Sequence, residues 1–195
     1  MSKLPPQYAD DVRRAVETLR RGGVILYPTD TIWGLGCDAR RSDAVRRIFD
    51  IKHRADSKAL ITLVSSLPML DRTVASVPEV AEQLIEVSDT PITIIYDRGT
   101  GVAPELLAPD GSIGVRLTRE AVSAAICDGL GAPIVSTSAN ISGSPSPADF
   151  SGIAPEIIGA VDYVCTSRRL EHPAGAKPST IIKISDGGLF TIIRK

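Results

Sequence analysis

Histidine and cysteine are scarce in this sequence. The 195 residues include two histidines, His53 and His172, so a histidine-based zinc site or a Ser-His-Asp hydrolase has few candidate residues. The three cysteines, Cys37, Cys127 and Cys165, lie far apart and lack the spacing of a metal-binding motif. We therefore expect free, buried thiols, and the chemistry must come from other residue types.

Long apolar runs are also missing. No stretch approaches the roughly 20 apolar residues that cross a bilayer, and the N-terminal region lacks the apolar segment of a secretory signal. With 43% hydrophobic and 23% charged residues, the composition is that of an ordinary globular protein. These features predict a cytoplasmic protein without membrane contact, folded as a single domain over residues 1–195.

The chain carries almost no excess charge of either sign. Its net charge is −1, so a polyanion would have to meet a local basic cluster. Residues 40–58 contain seven lysines and arginines against three aspartates, a net charge of 7 − 3 = +4. This segment is the predicted place for phosphate or nucleic-acid contact.

Two common catalytic motifs are absent as well. The sequence has no G-x-x-x-x-G-K-[ST] loop, so a nucleotide would be held by side-chain cations and hydroxyls. Ser138 is not part of a G-x-S-x-G turn, which counts against a hydrolase nucleophile.

Segments of helical and strand character alternate along most of the chain. Helical patterns occur at 8–21, from Ser42 to about His53, and at 67–75, 78–87, 119–128 and 149–160. Strand patterns occur at 24–27, 60–64, 91–96, 113–117 and 133–136, and 180–184 with 189–193 read as a hairpin. The fold class predicted is α/β, with a twisted mixed parallel and antiparallel sheet flanked by helices.

Polar segments follow three of these elements, in the region where open α/β sheets place their ligands. The first spans residues 27–36 and the third, rich in hydroxyls, spans 136–146; between them come Lys52, Arg54 and Lys58. Each also has an ordinary interpretation, as an Asx-type turn, a solvated basic helix end or a surface loop. Only their joint occurrence indicates a site for a phosphorylated ligand.

Three motifs follow one another along the chain: Pro28-Thr29-Asp30-Thr31-Ile32-Trp33-Gly34-Leu35-Gly36, Lys52-x-Arg54 and Ser138-Ala139-Asn140. In this order they resemble the YrdC-like family of threonylcarbamoyl-AMP synthases. The resemblance covers about residues 10–194 and is closest to the short, single-domain form. It implies a YrdC-like fold and a nucleotidyltransferase that makes threonylcarbamoyl-AMP and pyrophosphate from L-threonine, bicarbonate and ATP. It further implies a transferase partner protein that carries the threonylcarbamoyl group to tRNA.

The resemblance also implies roles for individual residues. Threonine would lie near Thr31, Leu63, Arg116, Ser136 and Ser179. ATP, with its Mg²⁺, would lie near Arg54, Lys58, Ser138, Ser146 and Arg194. The catalytic set would be Lys52, Arg54 and Asn140, with no metal site in the protein itself.

Leu63 departs from the family pattern, because longer members often have a threonine-contacting histidine there. An apolar contact in its place predicts that valine is rejected only about 10- to 200-fold.

Two alternatives remain at this point. A non-catalytic paralogue that binds double-stranded RNA or a nucleotide would also fit Leu63 and the Gly175-Ala176-Lys177-Pro178 turn, although the Lys-x-Arg and Ser-x-Asn signatures favour the enzyme. Carbamoyl transfer to another substrate is a third possibility, associated with larger multidomain proteins of the same fold.

Overall fold

The computed structural model describes residues 4–53, 60–171 and 179–194. Its helices are α1 (Ala9–Arg20), α2 (Ser42–Ile51), α3 (Leu67–Thr73), α4 (Glu79–Val87), α5 (Ala121–Leu130) and α6 (Pro155–Ala160). Its strands are β1 (Ile25–Tyr27), β2 (Gly34–Gly36), β3 (Ile61–Val64), β4 (Ile92–Tyr96), β5 (Ile113–Leu117), β6 (Ile134–Ser138), β7 (Tyr163–Val164), β8 (Thr180–Ile184) and β9 (Phe190–Arg194). Short 3₁₀ turns lie at Pro6–Tyr8, Pro104–Leu106 and Phe150–Gly152.

The strands form one nine-stranded sheet in the order β7-β1-β2-β6-β3-β5-β4-β8-β9. The pairs β1–β7, β3–β5 and β4–β8 are parallel, and the other neighbours are antiparallel. The predicted α/β class with a mixed sheet is therefore confirmed. Helical faces cover the sheet: α1 buries Val12, Ala15, Val16 and Leu19, the stripe expected from helical spacing.

Strand β2 was not predicted, because Gly34-Leu35-Gly36 has neither β-branched residues nor alternation. Its glycines are needed for close packing between β1 and β6. A Cβ atom on Gly36 would lie 2.7 Å from Cε1 of Tyr27 and 2.9 Å from the backbone oxygen of Val135. The packing of neighbouring strands, and not local propensity, makes this segment a strand.

The single helix predicted over 149–160 is wrong. Asp149 accepts hydrogen bonds from the backbone of Ser151 and Gly152 and caps the 3₁₀ turn Phe150–Gly152. Ala154 is extended because it precedes Pro155, which starts α6. Proline thus divides the segment into two short elements.

The carboxylate of Asp11 on α1 fixes the chain that follows β7. It accepts hydrogen bonds from the Tyr163 hydroxyl at 2.6 Å, the Thr166 amide at 2.9 Å, the Ser167 amide at 2.8 Å and the Ser167 hydroxyl. Asp11 is only 5% exposed. Directly after this turn Arg168 has a φ of 60°, a left-handed conformation that costs a non-glycine residue energy.

The basic segment does not form an open cationic surface within its described part. Four arginines pair with carboxylates: Arg40 with Asp38, Arg41 with Asp43, Arg46 with Glu105 and Arg47 with Asp162. Three of these carboxylates lie outside the segment, so the net charge of +4 counted along the sequence overstates the local field. These pairs reduce the charge that residues 40–47 offer to a polyanion, and attraction of a polyanion by this cluster stays a prediction.

The three cysteines are free and buried, as predicted. Burial raises the pKa of Cys37 and Cys127 above the ordinary thiol range. Across the part of the chain that the model describes, no helix has the length and apolar character to cross a membrane.

The sheet ends in an exposed strand. β9 pairs with β8 on one side, and Phe190, Ile192 and Ile193 are 61%, 48% and 57% exposed. Within the described residues its outer edge has no neighbouring strand.

Candidate functional site

A cavity of about 250 Å³ opens where β3, β5, β6, β8 and β9 meet the segment before β2. Seven of the residues predicted from the family resemblance line it: Thr31, Arg116, Ser136, Ser138, Ser146, Ser179 and Arg194. These residues are up to 163 positions apart in the sequence (194 − 31), and the sheet order brings them together. The cavity therefore combines hydroxyl groups with two arginines, a set suited to a polar, anionic ligand.

Arg116 projects from β5 and is 3% exposed. Its Nη2 atom lies 3.0 Å from Oδ1 of Asp30, while its buried Nε has no hydrogen-bond partner among the described residues. Burial raises the pKa of Asp30, and the opposing charge of Arg116 offsets only part of this effect. The guanidinium retains donor capacity for a carboxylate in the cavity.

A buried hydroxyl orients one of the cavity hydroxyls from behind, since the Ser179 hydroxyl lies 2.7 Å from that of Thr93 on β4. The buried hydroxyl of Tyr27 on β1 donates to the Val135 carbonyl, next to Ser136, at 3.4 Å. Burial strongly raises the pKa of Tyr27, so this phenol stays neutral. Sequence reasoning missed Thr93 because it neither follows a strand nor belongs to a motif.

Other hydrogen bonds hold the rim of the cavity. The Thr31 hydroxyl lies 3.0 Å from that of Thr29, which donates to the Ile32 carbonyl at 2.7 Å. Nη2 of Arg194 donates to the Ser179 carbonyl at 2.9 Å and so links β9 to the start of β8.

Lys52 and Asn140, which the resemblance places in the catalytic set, are not among the described residues that line the cavity, and their catalytic roles stay predictions. Lys52 is 2% exposed, and its Nζ donates to the carbonyls of Ser138 at 2.5 Å and Asn140 at 2.6 Å. The Asn140 amide donates to the carbonyls of Ile141 and Ser144. Because α2 ends beside the end of β6, the lysine stem turns inward and shapes the loop that carries Ser138.

Leu63 is also not a cavity residue. It lies on β3 between Arg116 of β5 and Ile134 of β6, and it is fully buried. Leu60 and Ile61, at the start of β3, line the cavity instead. The predicted contact of Leu63 with threonine, and the weak rejection of valine expected from it, stay predictions.

Trp33, a residue of the first motif, also lines the cavity. Its ring packs at a centroid distance of 4.9 Å on Phe150, so it forms a rigid apolar wall. Arg54 and Lys58 lie outside the described residues, and their predicted contacts with ATP remain predictions.

The position of Lys52 leads to a testable expectation. Lys52→Met keeps the apolar stem but removes the ammonium donor, leaving the Ser138 and Asn140 carbonyls without this bond. The free energy of unfolding should fall by about 2–3 kcal/mol. Urea unfolding measures this loss, with Lys183→Met as control because Lys183 is on the exposed side of β8 and pairs with Asp110 at 3.3 Å. Equal, small losses in both variants would contradict the structural role.

Comparison with known proteins agrees with this geometry. Residues 17–195 match the Sua5/YciO/YrdC family model, described as "Telomere recombination". A protein named threonylcarbamoyl-AMP synthase from Xanthomonas campestris pv. campestris (strain B100) is 39% identical over 161 residues, covering 80% of this chain and 86% of that protein. A second protein of that name, from Xanthomonas euvesicatoria pv. vesicatoria (strain 85-10), is 37% identical and covers 92% of this chain and 96% of its own length.

Solved structures show the same fold. Escherichia coli YciO superposes with a TM-score of 0.82 at 30% identity, covering 99% of this chain and 91% of YciO. Pyrococcus abyssi Sua5 complexed with L-threonine superposes with a TM-score of 0.79 at 28% identity and covers 89% of this chain. This chain spans 50% of the length of that Sua5 chain. The resemblance drawn from the three sequence motifs is thus confirmed, and the chain belongs to the Sua5/YciO/YrdC family.

Proposed function

We propose that this protein is a threonylcarbamoyl-AMP synthase, a nucleotidyltransferase that uses L-threonine, bicarbonate and ATP. The carrying observation is that one cavity collects Arg116, Arg194 and hydroxyls from two of the three motif segments. Family membership and the names of relatives at 37–39% identity support the same activity.

The residues suggest a division of the cavity between the two substrates. Arg116 would bind the threonine carboxylate through its unpaired donors, with Thr31, Ser136 and Ser179 around the rest of the amino acid. Ser138, Ser146 and Arg194 would contact ATP, together with Arg54 and Lys58 from outside the described residues. Lys52 and Asn140 would contribute by holding the loop in place.

The reaction needs no protein nucleophile. The threonine amine and bicarbonate form a carbamate and release water. A carbamate oxygen then attacks the α-phosphorus of ATP, and the bond from that phosphorus to the bridging oxygen breaks to release pyrophosphate. Fixed cations stabilise the charge on the phosphates, so positioning and electrostatics supply the catalysis.

Several further features belong to the proposal. Mg²⁺ would enter bound to the ATP phosphates and neutralise their charge. The product would pass to a transferase partner protein for attachment to tRNA in the cytoplasm. Among the described residues, no group of three His, Cys, Asp or Glu side chains is arranged to hold a metal ion.

The decisive experiment omits one substrate at a time. Pyrophosphate release should require ATP, threonine and bicarbonate together, because the carbamate is the attacking species. In bicarbonate-free buffer the rate should fall to background, and added bicarbonate should restore it. If ATP and threonine alone gave the full rate with threonyl-adenylate as product, the protein would be an amino-acid-activating enzyme.

The non-catalytic RNA-binding alternative has less support. A surface that binds double-stranded RNA needs open cations along the phosphates. In the described part of residues 40–58, Arg40, Arg41, Arg46 and Arg47 all pair with carboxylates. Pyrophosphate release tests both hypotheses at once.

A further inference from the structure

Asp30 lies in a partition between two cavities. Arg116 lines the first cavity, which is the proposed substrate site. Asp30 lines a second one, of about 360 Å³, together with Leu117, Arg119, Glu120 and Arg168. The Asp30–Arg116 ion pair thus spans the wall, with the carboxylate on one side and the guanidinium on the other.

The surroundings of Asp30 leave Arg116 as its principal charge partner. The charged groups facing it are Arg116 from β5, Glu120 at the start of α5 and Arg168 from the segment after β7. Arg168 is committed elsewhere: it lies 3.3 Å from Glu120 and 2.7 Å from Glu171, and it donates to the Thr29 carbonyl at 3.2 Å. Glu120 in turn accepts from the backbone of α5.

The pair is also well shielded from water. The side chains of Arg116 and Asp30 are 4% and 15% exposed, so their attraction is screened less than that of a surface pair. The contact is an ion pair and not a hydrogen bond, because Oδ1 of Asp30 and Nε of Arg116 both lack a hydrogen-bond partner among the described residues. The charge of Asp30 is therefore what draws the guanidinium toward the wall. Asp30 is the only carboxylate that the described residues place in an ion pair with Arg116.

We propose that Asp30 is a positioning residue, which fixes the guanidinium of Arg116 so that its remaining donors face the carboxylate of the amino-acid substrate. This inference rests on the proposed function, because it assumes that an amino acid occupies the cavity. Asp30 does not line the cavity and would act only through Arg116. Its loss should therefore affect binding of the amino acid and leave binding of ATP intact.

The test compares Asp30→Asn with the unchanged protein by calorimetry. Asparagine keeps the shape of the side chain but removes its charge. The dissociation constant for L-threonine should rise about 10- to 100-fold, while that for ATP should change less than about 2-fold. Asp38→Asn is the matched control, since Asp38 is a buried carboxylate paired with Arg40 at 2.7 Å, and it should leave threonine affinity unchanged.

Binding of L-threoninamide, which lacks the carboxylate, distinguishes a loss of Arg116 positioning from general damage to the cavity. If Asp30 acts through Arg116, Asp30→Asn should weaken binding of threonine but not of threoninamide. Equal losses for both ligands, or unchanged threonine affinity, would overturn the inference. If Asp30→Asn fails to fold, Asp30→Glu keeps the charge and should show the same split between the two ligands with a smaller, roughly 3- to 10-fold, loss for threonine.

The measurements distinguish failure of the proposed function from failure of the inference about Asp30. If the unchanged protein bound no threonine, the proposed function would fall. If it bound threonine and Asp30→Asn bound it equally well, the function would stand and the role of Asp30 alone would be wrong.

Discussion

Arg116→Met should lower threonine affinity by more than about 100-fold and the free energy of unfolding by about 3–5 kcal/mol. The first effect follows from loss of a buried cation that lines the cavity and whose Nε has no hydrogen-bond partner among the described residues. The second follows because Asp30 would be left as a buried carboxylate without the cation that partly offsets its burial. Calorimetry and urea unfolding measure the two effects separately.

A double variant distinguishes charge from packing at this position. Arg116→Met combined with Asp30→Asn removes the stranded charge and should regain most of the lost stability, but no threonine affinity. Arg13→Met is the surface control, because Arg13 and its partners Asp10 and Glu17 are all exposed and the loss of these pairs should change stability little. Additive losses in the double variant would show that the pair is not coupled.

Asp11→Ala should lower the free energy of unfolding by about 4–5 kcal/mol. The substitution leaves two backbone amides and two hydroxyls, from Tyr163, Thr166 and Ser167, without their acceptor. Tyr163→Phe removes only one of these bonds and should cost about 1 kcal/mol. If the two losses were similar, water would be replacing the carboxylate and the turn after β7 would not depend on it.

The stability contributed by Asp11 should also depend on pH. Burial alone would raise the pKa of Asp11, but hydrogen bonds from Ser167, Tyr163 and the Thr166 amide outweigh it and lower the pKa. A carboxyl group with a lower pKa in the folded state stabilises the fold fully above its ordinary range and loses that contribution as the pH falls through the folded-state value. Unfolding midpoints measured from neutral to acidic pH should therefore converge for the unchanged protein and Asp11→Ala.

Sequence reasoning located the strands best where apolar runs are bounded by turn residues. β5 was predicted with its observed bounds, and β8 and β9 were placed within one residue, because periodicity and a Gly-Gly turn mark them. β2 was not predicted, because its two glycines are explained only by the close packing of β1 and β6 around it. Such close packing involves residues distant in sequence and leaves no local pattern.

The candidate site divides in a similar way. Residues on strand ends and in hydroxyl-rich loops were placed correctly at one cavity, since the edge of an open sheet collects them. Three predicted site residues, Lys52, Asn140 and Leu63, do not line the cavity; Lys52 is buried against the Ser138 and Asn140 carbonyls and Leu63 is buried within the sheet. Thr93 contacts the Ser179 hydroxyl from behind the cavity wall, and no rule based on motif spacing identifies such a supporting residue.

β9, the exposed edge strand, contributes to one wall of the cavity. Arg194 belongs to β9, which buries little apolar surface, and its guanidinium is tied to the Ser179 carbonyl. Edge strands that bury little apolar surface unfold locally at a lower free energy than the core. When β9 separates from β8, Arg194 leaves the cavity with it. If a nucleotide binds Arg194 as proposed, it should hold β9 against the sheet, and slower hydrogen exchange of the β9 amides would then report that the cavity is occupied.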